Sequence, residues 1–374
     1  MAFLERLPFT FQTHTGSPTG YAETAVVIMR ALVEQGVEVH YLCLHDDYIY
    51  EQPSYDLLVN DYRKIEPEDE PVQVVYSTAP MFLHNAGEYK VGWSMMEVDK
   101  IPDRWVRACN KMDEVWVPTQ MNKEAFVASG VSVPVKVVPL GIDTKCFTPN
   151  FTPAIYHGEH QFRFYASGWW QLRKRWDLLM IAFAEEFGNE KDVGLLCKTM
   201  SQQSPDEVVD QIHAWIGTRC DDQIAIIEGA YPWWEYVSMM RACHAFVLPT
   251  AGEGWGCPPV QALACGLPVV VTDCQGPGEV LRDDNGDPFP GVRFIRADME
   301  ETQVKHEYYD GGMWWVPDVA DIRAGMREVY ENYLRWKDAA MEGSAMVHEK
   351  RSGTAAALAV KNELRRIYEA LGPS

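Results

Sequence analysis

Short β-rich runs alternate with amphipathic helical runs along this chain, and a chain patterned that way folds into parallel α/β sheets. Phe9–Gln12 reads as the first strand, with a turn over His14–Gly20 after it. From Tyr21 the apolar residues Ala22, Ala25, Val26, Met29, Leu32 and Val33 fall at helical spacing. Gly36 ends that helix and Val37–Leu44 is the next strand, which completes a β-loop-α-β unit with the right-handed crossover such units adopt. Further strands are expected at Val72–Tyr76, Lys90–Ser94, Glu114–Val117 and Val135–Pro139, and helices at Asp103–Lys111 and Asn122–Ser129. Thr148–Pro153 has two prolines and no periodicity, which marks a linker. A second alternating series follows, with strands at Phe162–Ala166, Val193–Lys198, Ile224–Glu228, Ala245–Pro249 and Pro268–Thr272. Its helices are expected at Asp177–Phe187, Glu207–Ile216, Trp234–Ala242 and Pro259–Ala264, and Thr354–Leu371 is a good helix near the C-terminus. The fold class is therefore α/β, as two Rossmann-like doubly wound domains in tandem, 1–150 and 151–350, with 351–374 a C-terminal helix able to cross back. A ligand is expected in a cleft between two such sheets, at the carboxyl ends of strands.

The 374 residues suit two domains of ordinary size. Lys plus Arg number 33 against 54 Asp plus Glu, a net charge of −21 that is spread over both halves. A broad footprint on a nucleic-acid backbone is disfavoured, although one local basic groove stays open. The 13 Trp hint at surfaces that grip flat or sugar-like partners, although Trp is more often core. The N-terminal residues lack the apolar stretch of a signal peptide, and no run is long and apolar enough to span a bilayer. The nine Cys include no CxxC and read as free thiols in a reducing cytoplasm.

The stretch Pro249–Pro268 is the most informative. The strand Ala245–Leu248 runs into Gly252, Gly254 and Gly256, then into Pro258 and Pro259 at the start of a helix. Free N–H groups and the dipole of that helix suit a phosphate, and Glu253 offers an acceptor for sugar hydroxyls. A tight strand-to-helix turn carrying a solvated Glu is the plainer alternative.

The same stretch resembles the E-G-(F/W)-G-x-P…E-A-x-A-x-G-x-P-V signature of retaining glycosyltransferases of family 4, which have the GT-B fold. Val135–Asp143 followed by Phe147-Thr148-Pro149 is similar to the segment that closes the family's N-terminal domain. Asp113–Thr119 resembles the strand before it, and Gly168–Leu179 resembles the G-R-x-x-x-x-K-G-x-D-x-L loop that opens the donor domain. The four occur in the family's order. The resemblance implies an acceptor domain at 1–150 facing a nucleotide-sugar donor domain at 151–350. It implies transfer of a sugar, with retention, from a UDP- or GDP-linked donor to an acceptor hydroxyl, without a metal or other cofactor. The partners implied are the nucleotide sugar and an acceptor that is a saccharide, a lipid or a nucleic acid.

Carried over residue by residue, Lys174 matches the family Lys that neutralises the donor diphosphate, and Glu253 the Glu that holds the transferred sugar. Trp169 stands where the family has Arg, so Arg173 is the substitute cation. Gly254, Trp255 and Gly256 fall in the donor motif, and Glu279 after Gly276-Pro277-Gly278 is a further donor-side candidate. The family's second Glu, on the nucleotide ribose, is here Gln261, a neutral amide with weaker bonds than a carboxylate forms. Gly16 and Gly20 match the glycine turn over the diphosphate. His14 and Glu97 are acceptor-side candidates, each with a structural alternative. Two other readings stay open: transfer to hydroxylated bases of phage DNA, and a donor-binding protein with little activity. The acidic pairs and the run Asp283–Asp287 lack the spacing of a calcium loop, and no nucleophile elbow or G-x-G-x-x-G fingerprint is present.

Overall fold

A computed structural model describes residues 6–16, 19–44, 71–150, 160–302 and 304–372. Met1–Glu5, Ser17 and Pro18 of the first turn, the acidic run Glu66–Glu70 and Phe151–Pro153 of the linker lie outside them. By compactness the chain divides into two units: 1–143 with 306–312 and 349–374, and 144–305 with 313–348. The sequence division at 150 and 350 did not anticipate that 306–312 counts with the first unit.

The first unit holds strands β1 (Phe9–Thr13), β2 (Val39–Cys43), β3 (Val72–Tyr76), β4 (Tyr89–Trp93), β5 (Glu114–Val117) and β6 (Val135–Val137). They form one parallel sheet in the order β2-β1-β3-β4-β5-β6. β1 and β3 are buried at every residue, the mark of parallel strands covered on both faces. The helices are α1 (Gly20–Glu34), α2 (Asp103–Cys109), α3 (Gln120–Ala128) and, from the far end of the chain, α11 (Gly353–Leu371). Thr19 caps α1 by accepting from Ala22 N–H. α11 lies against α1 and is pinned to the sheet through Arg366, whose guanidinium holds both Glu114 oxygens at 2.6 Å.

The second unit holds β7 (Phe162–Trp169), β8 (Val193–Met200), β9 (Ile224–Glu228), β10 (Ala245–Leu248), β11 (Val269–Thr272) and β12 (Val292–Ile295). Its parallel sheet runs β12-β11-β10-β7-β8-β9. Helices α4 (Trp176–Phe187), α5 (Pro205–Ile216), α6 (Trp233–Arg241) and α7 (Cys257–Ala264) connect the strands. The core on one face joins Phe164, Trp176, Leu179, Phe183, Phe187 and Val247. The sequence pattern assigned no strand or helix between Thr272 and Thr354. That stretch supplies α8 (Gln275–Val280), β12, the antiparallel hairpin β13 (Ala297–Glu301) and β14 (Met313–Pro317), α9 (Val319–Glu331) and α10 (Tyr333–Lys350). Among the described residues no helix is long and apolar enough to cross a membrane. All nine cysteines are free thiols.

Candidate functional site

In the second unit β7 and β10 are neighbours in the sheet, yet the chain leaves β7 toward β8 and leaves β10 toward β11. Connections that diverge in this way open a crevice at the carboxyl ends of the two strands. Two loops emerge there. The first is the short 3₁₀ turn Leu172–Lys174 after β7, and the second is Pro249–Gly256 after β10.

These loops are laced together by their backbones. Ala251 N–H donates to Arg173 O at 2.7 Å, and the Thr250 hydroxyl reaches the same oxygen at 3.3 Å. The strand β14 adds a further tie, Trp315 N–H to Ala251 O at 2.9 Å. The result is a cluster of three charged side chains. Lys174 Nζ donates to Glu253 Oε1, Arg173 Nη1 lies 3.4 Å from the same oxygen, and Arg173 Nη1 also donates to Gly252 O. Arg173, Lys174 and Glu253 are 8%, 6% and 7% exposed, so the plainer alternative of a turn with a solvated Glu does not hold. The stem of Lys174 lies over Gly168, where a Cβ would come within 3.2 Å of it. Burial pushes the Glu253 carboxyl up, but Lys174 and Arg173 beside it outweigh that and hold it below the usual range. Two cations to one carboxylate give these three groups an excess positive charge.

Arg175, the third residue of the basic run, does something else. It takes a left-handed backbone, φ 54°, and its guanidinium grips Asp177 at 2.8 and 3.0 Å at the start of α4. The buried cations of this loop are thus Arg173 and Lys174, without Arg175. Trp169 ends β7 half-buried, and its neighbour Trp170 stacks between Trp176 and Trp215 at 5.1 and 5.9 Å.

At the glycine loop, Gly256 has φ 92° and precedes the first turn of α7, a conformation open to glycine and costly for other residues. Pro258 and Pro259 have no N–H, and Val260 N–H is already bonded to Gly256 O at 3.4 Å. Pro258, Pro259 and Val260 therefore add no free amide to the expected fan, and α7 contributes mainly its dipole. Gly254, Trp255 and Gly256 are all buried, with the Trp255 indole 1% exposed among core residues. Gln261, on α7, is 1% exposed, and Tyr236 OH lies 3.4 Å from its Oε1 and 3.0 Å from Ser167 Oγ. Glu279 is half-buried on α8, whose Gly276 N–H donates to Glu253 O at 3.0 Å.

Sequence reasoning missed Thr250, Tyr236 and Gln275. Trp255 Nε1, Thr272 Oγ1 and Gln275 Oε1 are buried without a hydrogen-bond partner among the described residues. The Thr and Gln lie at and just beyond the end of β11, and their position after a buried strand was the available signal. Among the described residues no cluster of three His, Cys, Asp or Glu could hold a metal ion.

The remaining candidates belong to the first unit. His14 and Gly16 follow β1 half-buried, Gly20 opens α1, and Thr19 Oγ1 lies 3.5 Å from His14 Nε2. Glu97 follows β4 and is half-buried, with Tyr309 OH 3.5 Å from its Oε2.

Residues 221–301 match the family described as Glycosyl transferases group 1. An uncharacterized glycosyltransferase of Methanocaldococcus jannaschii is 41% identical over 49 residues, which are 13% of this chain and 14% of that protein's length. Sucrose-phosphate synthase from Thermosynechococcus elongatus superposes with a TM-score of 0.70 at 13% identity, over 98% of this chain and 100% of that one. Anabaena HepE, solved with UDP and glucose, gives a TM-score of 0.65 at 13% identity, over 96% and 99%. The fold expected from sequence, two Rossmann-like α/β domains of the kind seen in GT-B glycosyltransferases, is the fold present.

Proposed function

We propose that the protein is a retaining glycosyltransferase of the family-4 type, moving a hexose from a UDP- or GDP-linked donor to an acceptor hydroxyl without a metal ion. The buried Arg173–Lys174–Glu253 cluster at the ends of β7 and β10 carries this reading. The group 1 match, which includes Glu253–Gly256, supports it, and the UDP and glucose held by HepE favour a uridine donor.

The chemistry asked of the cluster is electrostatic. The bond between the sugar's anomeric carbon and the β-phosphate oxygen breaks, and the electron pair leaves with the phosphate. The acceptor oxygen attacks from the same face, its proton passing to the departing phosphate. Negative charge on the leaving oxygen grows in the transition state, so a fixed buried cation accelerates this step. Lys174 and Arg173 fill that role. Glu253, tied to Lys174, is released to sugar hydroxyls as the diphosphate takes over the lysine. The acceptor and the departing phosphate are held on the same face of the sugar by the protein, which contributes positioning in place of a nucleophile.

The test is to incubate the purified chain with UDP-glucose, UDP-galactose, UDP-N-acetylglucosamine and GDP-mannose in EDTA and measure nucleoside diphosphate release. Release with at least one donor, lowered by roughly 10²–10³ in Lys174→Ala, is expected, and proton NMR of the product should show the donor's anomeric configuration. No release and no binding of any donor, or a Lys174→Ala protein as active as the parent, sinks the reading.

A further inference from the structure

The turn between β13 and β14 has no part in the cluster just described, and its residues 306–312 pack within the first unit. It is a tight, braced turn. Tyr309 and Asp310 N–H groups both reach His306 O, at 2.9 and 3.0 Å, Gly312 N–H reaches Tyr309 O at 2.9 Å, and Tyr308 N–H reaches His306 Nδ1 at 3.2 Å. Arg104 of α2 fixes it from below, paired with Glu307 and lying 5.3 Å from the Tyr308 ring centroid. Trp105 meets the same ring edge-on at 5.3 Å.

That bracing holds a phenol against a carboxylate. Tyr309 OH points at Glu97 Oε2, 3.5 Å away. Tyr21, at the start of α1, adds a second phenol, bonded to Ser94 Oγ at 3.1 Å and to Met95 N–H at 3.2 Å. Burial pushes the Tyr21 phenol up, and the proximity of Glu97 and Tyr308 pushes it further, which puts all three groups within electrostatic reach. The His14 ring lies 6.4 Å from Tyr21. Tyr308 and Tyr309 are half-buried in a segment whose Lys305, His306, Glu307 and Asp310 are exposed.

A turn that only needed to pack on α2 could use phenylalanine. Hydroxyls that meet a carboxylate beside aromatic rings suit a different partner. The carboxylate accepts from adjacent sugar hydroxyls, the phenols donate or accept, and the rings cover the apolar face of a pyranose. A phosphate or other anion is opposed by Glu97. We infer that residues 306–312, with Glu97 and Tyr21, form an acceptor subsite for an uncharged, hydroxyl-bearing saccharide. The acceptor role rests on the transferase reading, whereas the saccharide site itself does not.

The test measures saccharide binding to the full chain without any nucleotide sugar. Saturation-transfer NMR is run with methyl α-glucopyranoside, methyl α-galactopyranoside, N-acetylglucosamine, maltose and, as the cationic probe, glucosamine. At least one neutral sugar is expected to bind, with affinity lowered about tenfold in Glu97→Gln and by a few-fold in Tyr309→Phe, which deletes a single oxygen and leaves the ring packing. Arg104→Met, which unpins the turn, should weaken the same sugar while its thermal unfolding stays close to the parent's. Binding of glucosamine alone, no binding at all, or unchanged affinity in both Glu97→Gln and Tyr309→Phe overturns the subsite. Sugar binding that is lost in Glu97→Gln in a protein that releases no nucleoside diphosphate keeps the subsite and removes the transferase reading. Release of nucleoside diphosphate with no sugar bound does the reverse.

Discussion

Beyond the end of β1, the first unit offers hydroxyls and rings. Thr13 Oγ1 donates to Tyr76 O at 2.8 Å, Thr15 Oγ1 meets Tyr41 OH at 3.1 Å, and Thr24 Oγ1 meets Tyr76 OH at 2.8 Å. At the ends of β7 and β10 the second unit offers Arg173, Lys174 and Glu253, buried and paired. Both are edges of six-stranded parallel sheets, so the sheet does not decide the chemistry. Strand order contributes. In the second unit the sheet seats β7 beside β10, which brings Lys174 onto Glu253 across 79 positions of sequence. The neutral edge is held by bonds of about 1 kcal/mol each, whereas the charged edge depends on each ion keeping its partner.

The sharpest way to break this contrast is Lys174→Ala. It removes one of the two cations and leaves Glu253 buried with Arg173, so nucleoside diphosphate release should fall by roughly 10²–10³ in kcat/KM. Thermal stability should fall as well, since truncating one partner of a buried pair costs about 3–5 kcal/mol. Lys174→Met, which keeps the stem over Gly168, separates the two effects. If it turns over as the parent does, the charged edge has no catalytic meaning.

The first unit has a buried carboxylate of its own, and it serves structure. Glu114, 1% exposed, accepts from Trp116 Nε1 at 2.7 Å, Tyr89 OH at 3.1 Å and Arg366 Nη2 at 2.6 Å. Arg366→Ala should cost about 2–3 kcal/mol in urea unfolding by leaving that carboxylate without its cation. Release of nucleoside diphosphate, referred to the folded fraction, should remain. A loss of release larger than the loss of folded protein would mean that α11 does more than clamp the sheet.

Acidification should separate the units further. In the second unit burial, with Arg163 and Lys337 nearby, brings His244 down to about 4, and Glu253 is held below its usual 4.5. Both groups take a proton more readily in the unfolded chain, so they contribute stability at neutral pH that is lost on acidification. His244 loses its share between pH 6.5 and about 4, and Glu253 loses its share below that. For the partly exposed His244 ring the change is on the order of 1–2 kcal/mol once solvent screening is allowed for. Unfolding midpoints at pH 7, 5.5 and 4 should drop stepwise in the parent, and His244→Gln should flatten the upper step. A flat parent profile from 7 to 4 refutes the assignment.

Much of this architecture was legible because parallel strands buried on both faces are continuous apolar runs, as in Ala245–Leu248 and Val269–Thr272. The glycine loop was legible too, since only that residue type suits Gly256. The C-terminal third was harder. α10 buries Ala340, Gly343, Ser344 and Val347, small residues that leave no apolar stripe to count. α9 carried a readable signal in Asp318, which caps it, and in Ile322, Met326 and Val329 on one face. The burial of Lys174 was not legible, because a run of Arg and Lys reads as solvated until the loop after β10 is laid over it. The Trp excess resolves mainly as core: Trp93, Trp105, Trp116 and Trp255 are among the largest fully buried side chains.

The smallest expected effect probes whether the charged edge gains from further charge. Gln261 sits where the resemblance puts a carboxylate on the nucleotide ribose, and it is enclosed by α7, with Tyr236 OH 3.4 Å from its Oε1. Gln261→Glu keeps the shape and adds a charge that Tyr236 and ribose hydroxyls can both donate to. Charge-assisted bonds are about twice as strong as neutral ones, so KM for the nucleotide sugar should fall by roughly three- to tenfold with kcat little changed. The opposing effect is the desolvation of a side chain now 1% exposed, which should appear as a modest loss of thermal stability in the donor-free protein. A rise in KM would instead mean that the site is set for a neutral amide, and that Tyr236 and Ser167 position Gln261 as a donor toward the nucleotide. The two outcomes are separated by Tyr236→Phe in the Gln261→Glu background. If the carboxylate is doing the binding, losing the phenol weakens it; if the amide was the tuned group, losing the phenol changes little that the charge has not already changed.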